Sequence, residues 1–228
     1  EAPEDAPAAL ERALTAGEFP IIVSLARHDL DLARAALDAG ATAIKTHLNA
    51  YHRATGTTFG TFAKERPFFE QLAKLGCPLL VMAGQEIVPT PAEMDELAAL
   101  GFEGFNVYID HMQPHLLASK LRPMPALPAE GTIEDAVKIA ATPGCILEAS
   151  IQPFERYRTK MTEDDLARYA AIAAAVEVPV IVPSQLALTP ADAAALRTAG
   201  LAAPLLGAIV TGDTPASMEK TVRAFAGI

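Results

Sequence analysis

The chain of 228 residues is long enough for one large domain or two small ones. Hydrophobic residues make up 51% of it, yet no apolar run approaches the roughly 20 residues that cross a bilayer, so we expect a soluble protein with no membrane partner. The formal net charge of −10 comes without any cluster of Lys and Arg, which argues against nucleic acid as a partner.

Strand-like and helix-like segments alternate along the chain after a leading segment, residues 1–18, interpreted as a flexible start and a short helix. The predicted strands are, in order, FPIIVSLA, ATAIKTHLN, CPLLVMAG, FEGFNVYID, LRPMPAL, CILEASIQP, VPVIVPSQ and PLLGAIVTG. The helices predicted after them are DLDLARAALDAG, AKERPFFEQLAKLG, TPAEMDELAALG, HMQPHLLASK, TIEDAVKIAATPG, TEDDLARYAAIAAAV, TPADAAALRTAG and TPASMEKTVRAFAG. Thr-Pro pairs at 90, 189 and 214 are typical of an N-cap followed by the first helical residue.

This alternation predicts a parallel sheet, because parallel neighbours need a helical crossover between them. Eight such units predict an α/β fold, a single (βα)8 TIM barrel over residues 1–228 with a short N-terminal helix. The weakest unit is the fifth, whose strand contains Pro123 and Pro125. Without it, an open doubly wound sheet would be the better description.

Polar residues recur at alternate positions where the predicted strands end, which is where barrel enzymes bind their substrates. Lys45, His47 and Asn49 share one face of the second strand, and we expect that face to look into the barrel. The candidate substrate-binding residues selected in this way, together with the loop residue Arg53, are Asn49, Arg53, Asn106, Tyr108, Asp110, Ser150 and Gln152.

Lys45 and Glu148 are the predicted catalytic pair, since the second and sixth strands lie across the barrel from each other. Burial disfavours the charge on each group, which suits proton transfer near neutral pH. His47 is a candidate second acid or base. Three alternatives stay open: a structural ion pair, a Lys45 that only binds an anionic substrate, and a His47 that belongs to the core.

Asp110, His111 and His115 suggest a metal, because the two histidines have the i,i+4 spacing of one helix face. Pro114 lies between them and no third strong ligand is near, so we predict neither a metal nor a cofactor. The sixth strand also contains no lysine for Schiff-base chemistry, although Lys45 could take that role from the second strand.

The loop AYHRATGTTFGTF after the second strand is longer than its neighbours, and glycines at 56 and 60 would let it close over a ligand. Arg53 would then supply positive charge. A loop that simply caps the barrel is the alternative.

The two cysteines, Cys77 and Cys145, are predicted to be small buried side chains, which suggests a cytoplasmic protein.

The last two units, VPVIVPSQLALTPADAAALRTAG and APLLGAIVTGDTPASMEKTVRAF, resemble the closing half of the ribulose-phosphate-binding barrel superfamily. That resemblance implies a substrate phosphate held by the loops after strands seven and eight and by a helix N-terminus. By position, the implied phosphate-binding residues are Ser184, Gln185, Thr211 and Gly212. Two features depart from the pattern: Pro183-Ser184-Gln185 replaces a Gly-rich turn, and Asp213 follows Gly212.

Together these features predict an enzyme that acts by acid/base proton transfer on a small phosphorylated metabolite, as an epimerase, an isomerase or a C–C lyase. We also expect a homodimer, as is common for barrels of this size. A non-catalytic barrel that senses a phosphorylated metabolite and a metal-dependent lyase or aldolase are the alternatives.

Overall fold

Residues 9–228 are described by a computed structural model in which eight parallel strands close into a barrel. The predicted (βα)8 barrel is therefore confirmed, while residues 1–8 of the predicted leading segment 1–18 lie outside the described residues. The barrel strands are β1 (Ile22–Ser24), β2 (Ala43–His47), β5 (Leu79–Met82), β6 (Phe102–Tyr108), β7 (Arg122–Leu127), β8 (Leu147–Ala149), β9 (Val180–Pro183) and β10 (Ala203–Leu206). Closure comes from β1, which pairs in parallel with both β2 and β10.

Apart from α1, the helices surround the barrel and bury their apolar faces against the outer side of the strands. They are α1 (Ala9–Thr15), α2 (Leu30–Asp38), α3 (Phe62–Ala73), α4 (Pro91–Ala99), α5 (Pro114–Leu117), α6 (Ile133–Ala140), α7 (Glu163–Ala175), α8 (Pro190–Thr198), α9 (Ala208–Thr211) and α10 (Pro215–Phe225). Thr90, Thr189 and Thr214 are N-caps as predicted, and each hydroxyl accepts a backbone N–H of the first turn. Within residues 9–228, none of these helices has the length and apolarity needed to cross a bilayer.

The proline-containing segment LRPMPAL does form a barrel strand, β7. Pro123 and Pro125 are two residues apart, so the N–H groups that they lack would both lie on the same edge of β7. This is the edge that faces β8, where the Pro123 carbonyl accepts from Ile146 N at 3.1 Å. The ladder between β7 and β8 is short there and pairs only Ala126 with Glu148 and Leu127 with Ala149 within the described chain. The opposite edge of β7 pairs with β6 over residues 122–126. The prolines are tolerated because their missing donors fall where little pairing is made.

The N-terminal end of the barrel is closed by α1, whose Leu10 and Leu14 are buried. They pack on a layer of apolar side chains that point into the barrel: Ile22, Ala43, Leu80, Met124, Ile146, Ile181, Ala203 and Leu205. Because this layer fills the lower half of the barrel, the space for a ligand among residues 9–228 lies at the C-terminal end of the strands.

Three connections differ from the prediction. The long loop after β2 contains an antiparallel hairpin of β3 (Ala50–His52) and β4 (Thr57–Phe59), which was not predicted. The segment HMQPHLLASK forms a 3₁₀ turn, Ile109–His111, and then the short helix α5. The last strand ends at Leu206, and α9 begins directly after Gly207.

Candidate active site

A cavity of about 500 Å³ opens at the C-terminal end of the barrel. It is bordered by the ends of the barrel strands, by the β3–β4 hairpin and by the start of α9. The predicted site residues that line it are Lys45, His47, Arg53, Asn106, Tyr108, Asp110, Glu148, Ser150, Gln152, Ser184 and Gln185. The alternation rule therefore selected largely residues that the fold brings together.

The floor of the cavity is a buried ion pair. Lys45 Nζ donates to Glu148 Oε2 at 2.6 Å and to Asn106 Oδ1 at 2.9 Å. All three residues are 4% exposed, and they come from the alternate barrel strands β2, β6 and β8. Asn106 is oriented by its own amide, which donates to the Met124 carbonyl at 2.7 Å. Because every member is fixed by a strand and by a hydrogen bond, the amine and the carboxylate have defined positions.

A second set of contacts leads from Glu148 up the cavity wall. Its other oxygen, Oε1, accepts from Ser150 Oγ at 2.9 Å. Tyr108 lies beside Ser150, and burial raises the pKa of its hydroxyl above the usual value, with Tyr157 and Glu148 adding to the shift. Tyr108 is therefore a neutral hydroxyl that can donate a hydrogen bond to a ligand.

His47 forms the side wall next to Lys45. Its ring stacks on Phe59 with 4.7 Å between centroids and lies 4.8 Å from the ring of His52. Burial, followed by the nearby His52 and Lys45, holds the pKa of His47 well below the usual value, so its ring is neutral. Its Nδ1 is fully enclosed and has no hydrogen-bond partner among the described residues. A neutral imidazole beside an ammonium group can accept or deliver a proton.

The hairpin covers this side of the cavity, and contacts from three directions hold it. Thr57 Oγ1 donates to the Ala26 carbonyl at 3.0 Å, and the Gly60 N–H donates to Glu65 Oε1 at 2.7 Å. Across the mouth, the Arg158 guanidinium donates to the carbonyl of Ala54 at 2.5 Å. Arg158 itself has a φ of 68°, a left-handed conformation that is uncommon outside glycine.

His52 lies on β3 with its Nδ1 at 2.8 Å from the Thr55 hydroxyl. Burial and the positive charge of Lys45 lower the pKa of His52 to about 4. Neither His52 nor its neighbour Phe59 is among the residues predicted from the sequence. Aromatic and β-branched runs on both sides of the turn at Gly56 were the available signal for a hairpin.

Thr46, the polar exception on the outward face of β2, has a partner behind the barrel wall. Its hydroxyl contacts His28 Nε2, while His28 Nδ1 lies 2.6 Å from Glu65 Oε2. The His28 ring stacks on Phe68 at 4.4 Å, and burial lowers its pKa. This chain of contacts fixes β2 to α3 directly behind Lys45 and His47.

Asn49, predicted to bind substrate, is not among the residues that line the cavity. The strand ends at His47, and Asn49 turns the chain into the hairpin with a φ of 48°. Its backbone N–H donates to the Gly60 carbonyl at 2.8 Å. The alternation rule fails there because the extended backbone has already ended.

Thr211 and Gly212, predicted to bind phosphate, also lie away from the cavity. Because β10 ends at Leu206, they occupy the C-terminal end of α9, where the Thr211 hydroxyl donates to the Gly207 carbonyl at 3.2 Å. The residues that border the cavity here are Gly207, Ala208 and Ile209, at the N-terminus of α9. Ser184 Oγ accepts the Gly207 N–H at 2.7 Å and so links β9 to this turn.

Gln152 and Gln185 line the cavity but use their amides within the protein. The Gln152 amide donates to Asp165 Oδ1 at 3.1 Å, since the chain has left the strand and the side chain turns towards α7. Gln185 Oε1 accepts the Gln152 N–H at 3.0 Å, and its amide donates to the Tyr157 hydroxyl at 2.9 Å. Both residues hold the loops in place.

His111 and His115 do not share one helix, so the expected i,i+4 pair is not formed. His111 ends the 3₁₀ turn, whereas His115 belongs to α5 and its Nε2 lies 2.8 Å from the Pro89 carbonyl. Residues 9–228 contain no group of three or more His, Cys, Asp or Glu side chains arranged to hold a metal.

The rim of the cavity is more acidic than its floor. Arg53, on the hairpin, contributes a cation to the rim, while Asp110, Glu130 and Glu155 contribute carboxylates. All four are exposed, so each is screened by water and acts mainly on ligands that approach closely.

No family model and no curated protein matches the sequence. Solved structures do match. The tryptophan synthase A-subunit of Pyrococcus furiosus is 12% identical with a TM-score of 0.68, over 93% of this chain and 98% of that chain. Tryptophan synthase of Mycobacterium tuberculosis is 13% identical with a TM-score of 0.72, over 97% and 98%. Thiamine phosphate pyrophosphorylase of P. furiosus is 15% identical with a TM-score of 0.63, over 96% and 98%.

At these identities the likeness concerns the fold. The chain has the (βα)8 barrel of these proteins along nearly its whole length, which confirms the predicted fold class. The chemistry has to be argued from the residues of the site.

Proposed function

We propose that this protein is an enzyme that moves a proton to or from a carbon atom next to a carbonyl group of a small metabolite, as an isomerase, an epimerase or a C–C lyase. The observation that carries the proposal is the buried contact between Lys45 and Glu148 at the floor of an open cavity. A barrel that needed only stability would continue its apolar layers there.

Each floor residue has a definite role in this proposal. Glu148 removes the proton from the carbon atom and returns it, and Ser150 holds the second oxygen of its carboxylate. The Lys45 ammonium has three N–H groups, two of which point at Glu148 and Asn106. The third is available for the substrate oxygen on which negative charge develops. Neutral His47 delivers or accepts the proton at the second carbon atom.

The substrate is proposed to carry one phosphate group. Ser184 and the start of α9 border the cavity, and the first two N–H groups of α9, those of Ala208 and Ile209, have no backbone acceptor among the described residues. Arg53 on the hairpin faces the same opening. The acidic rim limits the total negative charge that the site tolerates, which favours a monophosphate over a diphosphate.

Deuterium exchange tests this function even when the product is not identified. Monophosphorylated and unphosphorylated ketoses, aldoses and keto acids are incubated with the protein in D₂O, and loss of the C–H signal next to the carbonyl is followed by NMR. We expect exchange in phosphorylated members of the panel and a rate about 100-fold lower for Glu148→Gln. Glu130→Gln, which changes a rim carboxylate, is the matched control and should exchange at the normal rate.

Exchange that is unaffected by Glu148→Gln would refute the proposed role of the carboxylate.

A second candidate function is a barrel that binds a phosphorylated metabolite without turning it over. One feature favours it: the charges of Lys45 and Glu148 already neutralise each other within the protein. It predicts that phosphorylated ligands raise the melting temperature while no member of the panel exchanges.

A further inference from the structure

Lys45 is the one buried amine among residues 9–228. It is 4% exposed, whereas Lys64, Lys74, Lys120, Lys138, Lys160 and Lys220 are all exposed at the surface. It projects from the middle of the barrel into the cavity floor, held by Asn106 and Glu148. A primary amine in this position can bind an anion or attack an electrophile.

We propose that Lys45 captures an aldehyde or ketone substrate as a covalent imine, with Glu148 as the acid and base of that step. This inference rests on the proposed function: it names a carbonyl compound as the substrate class and makes a covalent step the route to proton transfer, with Lys45 as the nucleophile in place of the ammonium donor assigned to it above. The reason lies in the partner of the amine. A lysine that only had to bind an anion would gain nothing from a carboxylate 2.6 Å away, which would repel that anion.

An amine must be neutral to attack, and the geometry supplies a route to the neutral form. Burial removes water from both charges of the pair. Moving one proton from Nζ to Oε2 across the 2.6 Å contact gives a neutral amine and a neutral acid without moving a heavy atom. Asn106 Oδ1 keeps the nitrogen in place, and Ser150 Oγ keeps the carboxyl group in place.

The step then balances with Glu148 as the proton carrier. The Nζ lone pair forms the C–N bond, the carbonyl π electrons move to oxygen, and that oxygen takes the proton of Glu148. The carboxylate next removes a proton from nitrogen, which leaves a carbinolamine. Glu148 protonates the hydroxyl, water departs as the C=N bond forms, and the site holds a protonated imine and a carboxylate. The protonated imine draws electrons from the neighbouring C–H bond, the bond that the proposed function requires to ionise.

Reductive trapping is the test. Samples of the protein are incubated with cyanoborohydride and one probe each: pyruvate, dihydroxyacetone, dihydroxyacetone phosphate or glyceraldehyde 3-phosphate. Each sample is then measured by intact-mass spectrometry and peptide mapping. An imine reduced in place raises the mass by that of the probe less one oxygen atom. We expect one saturable adduct on the peptide that contains Lys45 with at least one probe, formed about 100-fold more slowly in Glu148→Gln.

Two variants separate the chemistry from folding. Lys45→Arg keeps a cation opposite Glu148 and cannot form an imine, so its adduct should vanish. Lys160→Met removes an exposed lysine of the loop after β8 and should label normally. The imine proposal would be overturned if the adducts were spread over the surface lysines, or if no probe gave an adduct while deuterium exchange proceeded. Either result would leave the proposed function standing. Absence of both adduct and exchange would overturn both.

Discussion

Replacing Lys45 by methionine gives the sharpest test of how the cavity floor is built. The substitution removes the ammonium 2.6 Å from Glu148 and leaves the carboxylate inside the barrel. The two side chains are only 5% and 6% exposed, so water cannot fully replace the lost partner. Breaking a buried pair from one side typically costs about 3–5 kcal/mol. For a chain of this size that loss lowers the melting temperature by roughly 6–20 °C.

The matched control is Arg223→Met on α10. Arg223 also contacts a carboxylate, Glu219, at 2.7 Å, but the two side chains are 63% and 52% exposed. A pair of that kind contributes about 0.3–0.5 kcal/mol. The two ion pairs have similar distances but unequal burial, so the loss of stability should be roughly tenfold larger for Lys45→Met than for Arg223→Met. Urea unfolding followed by circular dichroism measures both.

The double variant Lys45→Met/Glu148→Leu removes both charges and allows the interaction between them to be measured by a double-mutant cycle. Because the double variant contains no uncompensated charge, it should recover most of the stability lost by Lys45→Met alone. A loss below about 1 kcal/mol for Lys45→Met, the range of an exposed pair, would show that the floor is hydrated. Lys45 would then not be a desolvated amine, and the reasoning from its burial would be wrong.

The remaining predictions concern the hairpin. The pKa of His52 is lowered to about 4 in the fold, against 6.5 for a free imidazole, so the unfolded chain binds its proton first and stability is lost as the pH falls from 6.5 towards 4. Urea unfolding at pH 7, 6 and 5 should show a decline that His52→Asn reduces by about 0.7 kcal/mol between pH 7 and 6 and by about 1.2 kcal/mol between pH 6 and 5, and an unchanged decline would contradict the burial of this ring. Arg158→Ala removes the contact with Ala54, so hydrogen exchange should quicken in residues 50–59 and stay constant in the barrel strands. Faster exchange throughout would mean that Arg158 supports the whole fold instead.

Much of the fold was readable because each unit repeats the same local signals. Thr90, Thr189 and Thr214 indicated helix starts, and alternation along β2, β6 and β8 selected the residues of the floor. β7 was the exception, because prolines argue against a barrel strand unless the N–H groups they lack fall on an edge with little pairing. Which edge has little pairing depends on the assembled barrel and cannot be read from the sequence of one strand.

The predicted site residues that lie away from the cavity do so for a common reason, the exact residue at which a strand ends. Asn49 lies two residues beyond the end of β2, and Thr211 lies five beyond the end of β10. Once the backbone leaves the extended conformation, alternation no longer says where a side chain points. Gln152 illustrates the same limit, because its amide turns towards Asp165 on α7.

The interior of the barrel changes from apolar to polar within two residues along the two strands that carry the ion pair. In β2 Ala43 is followed by Lys45, and Ile146, directly before β8, is followed by Glu148. A buried ion pair in place of well-packed apolar side chains is a weak source of stability and often a net loss. Stability therefore does not account for this layer, although the apolar layer directly below it is explained by packing alone. A ligand that needs both a proton donor and a proton acceptor at one carbon atom does account for it, and the trapping and exchange experiments ask whether that ligand is a carbonyl compound.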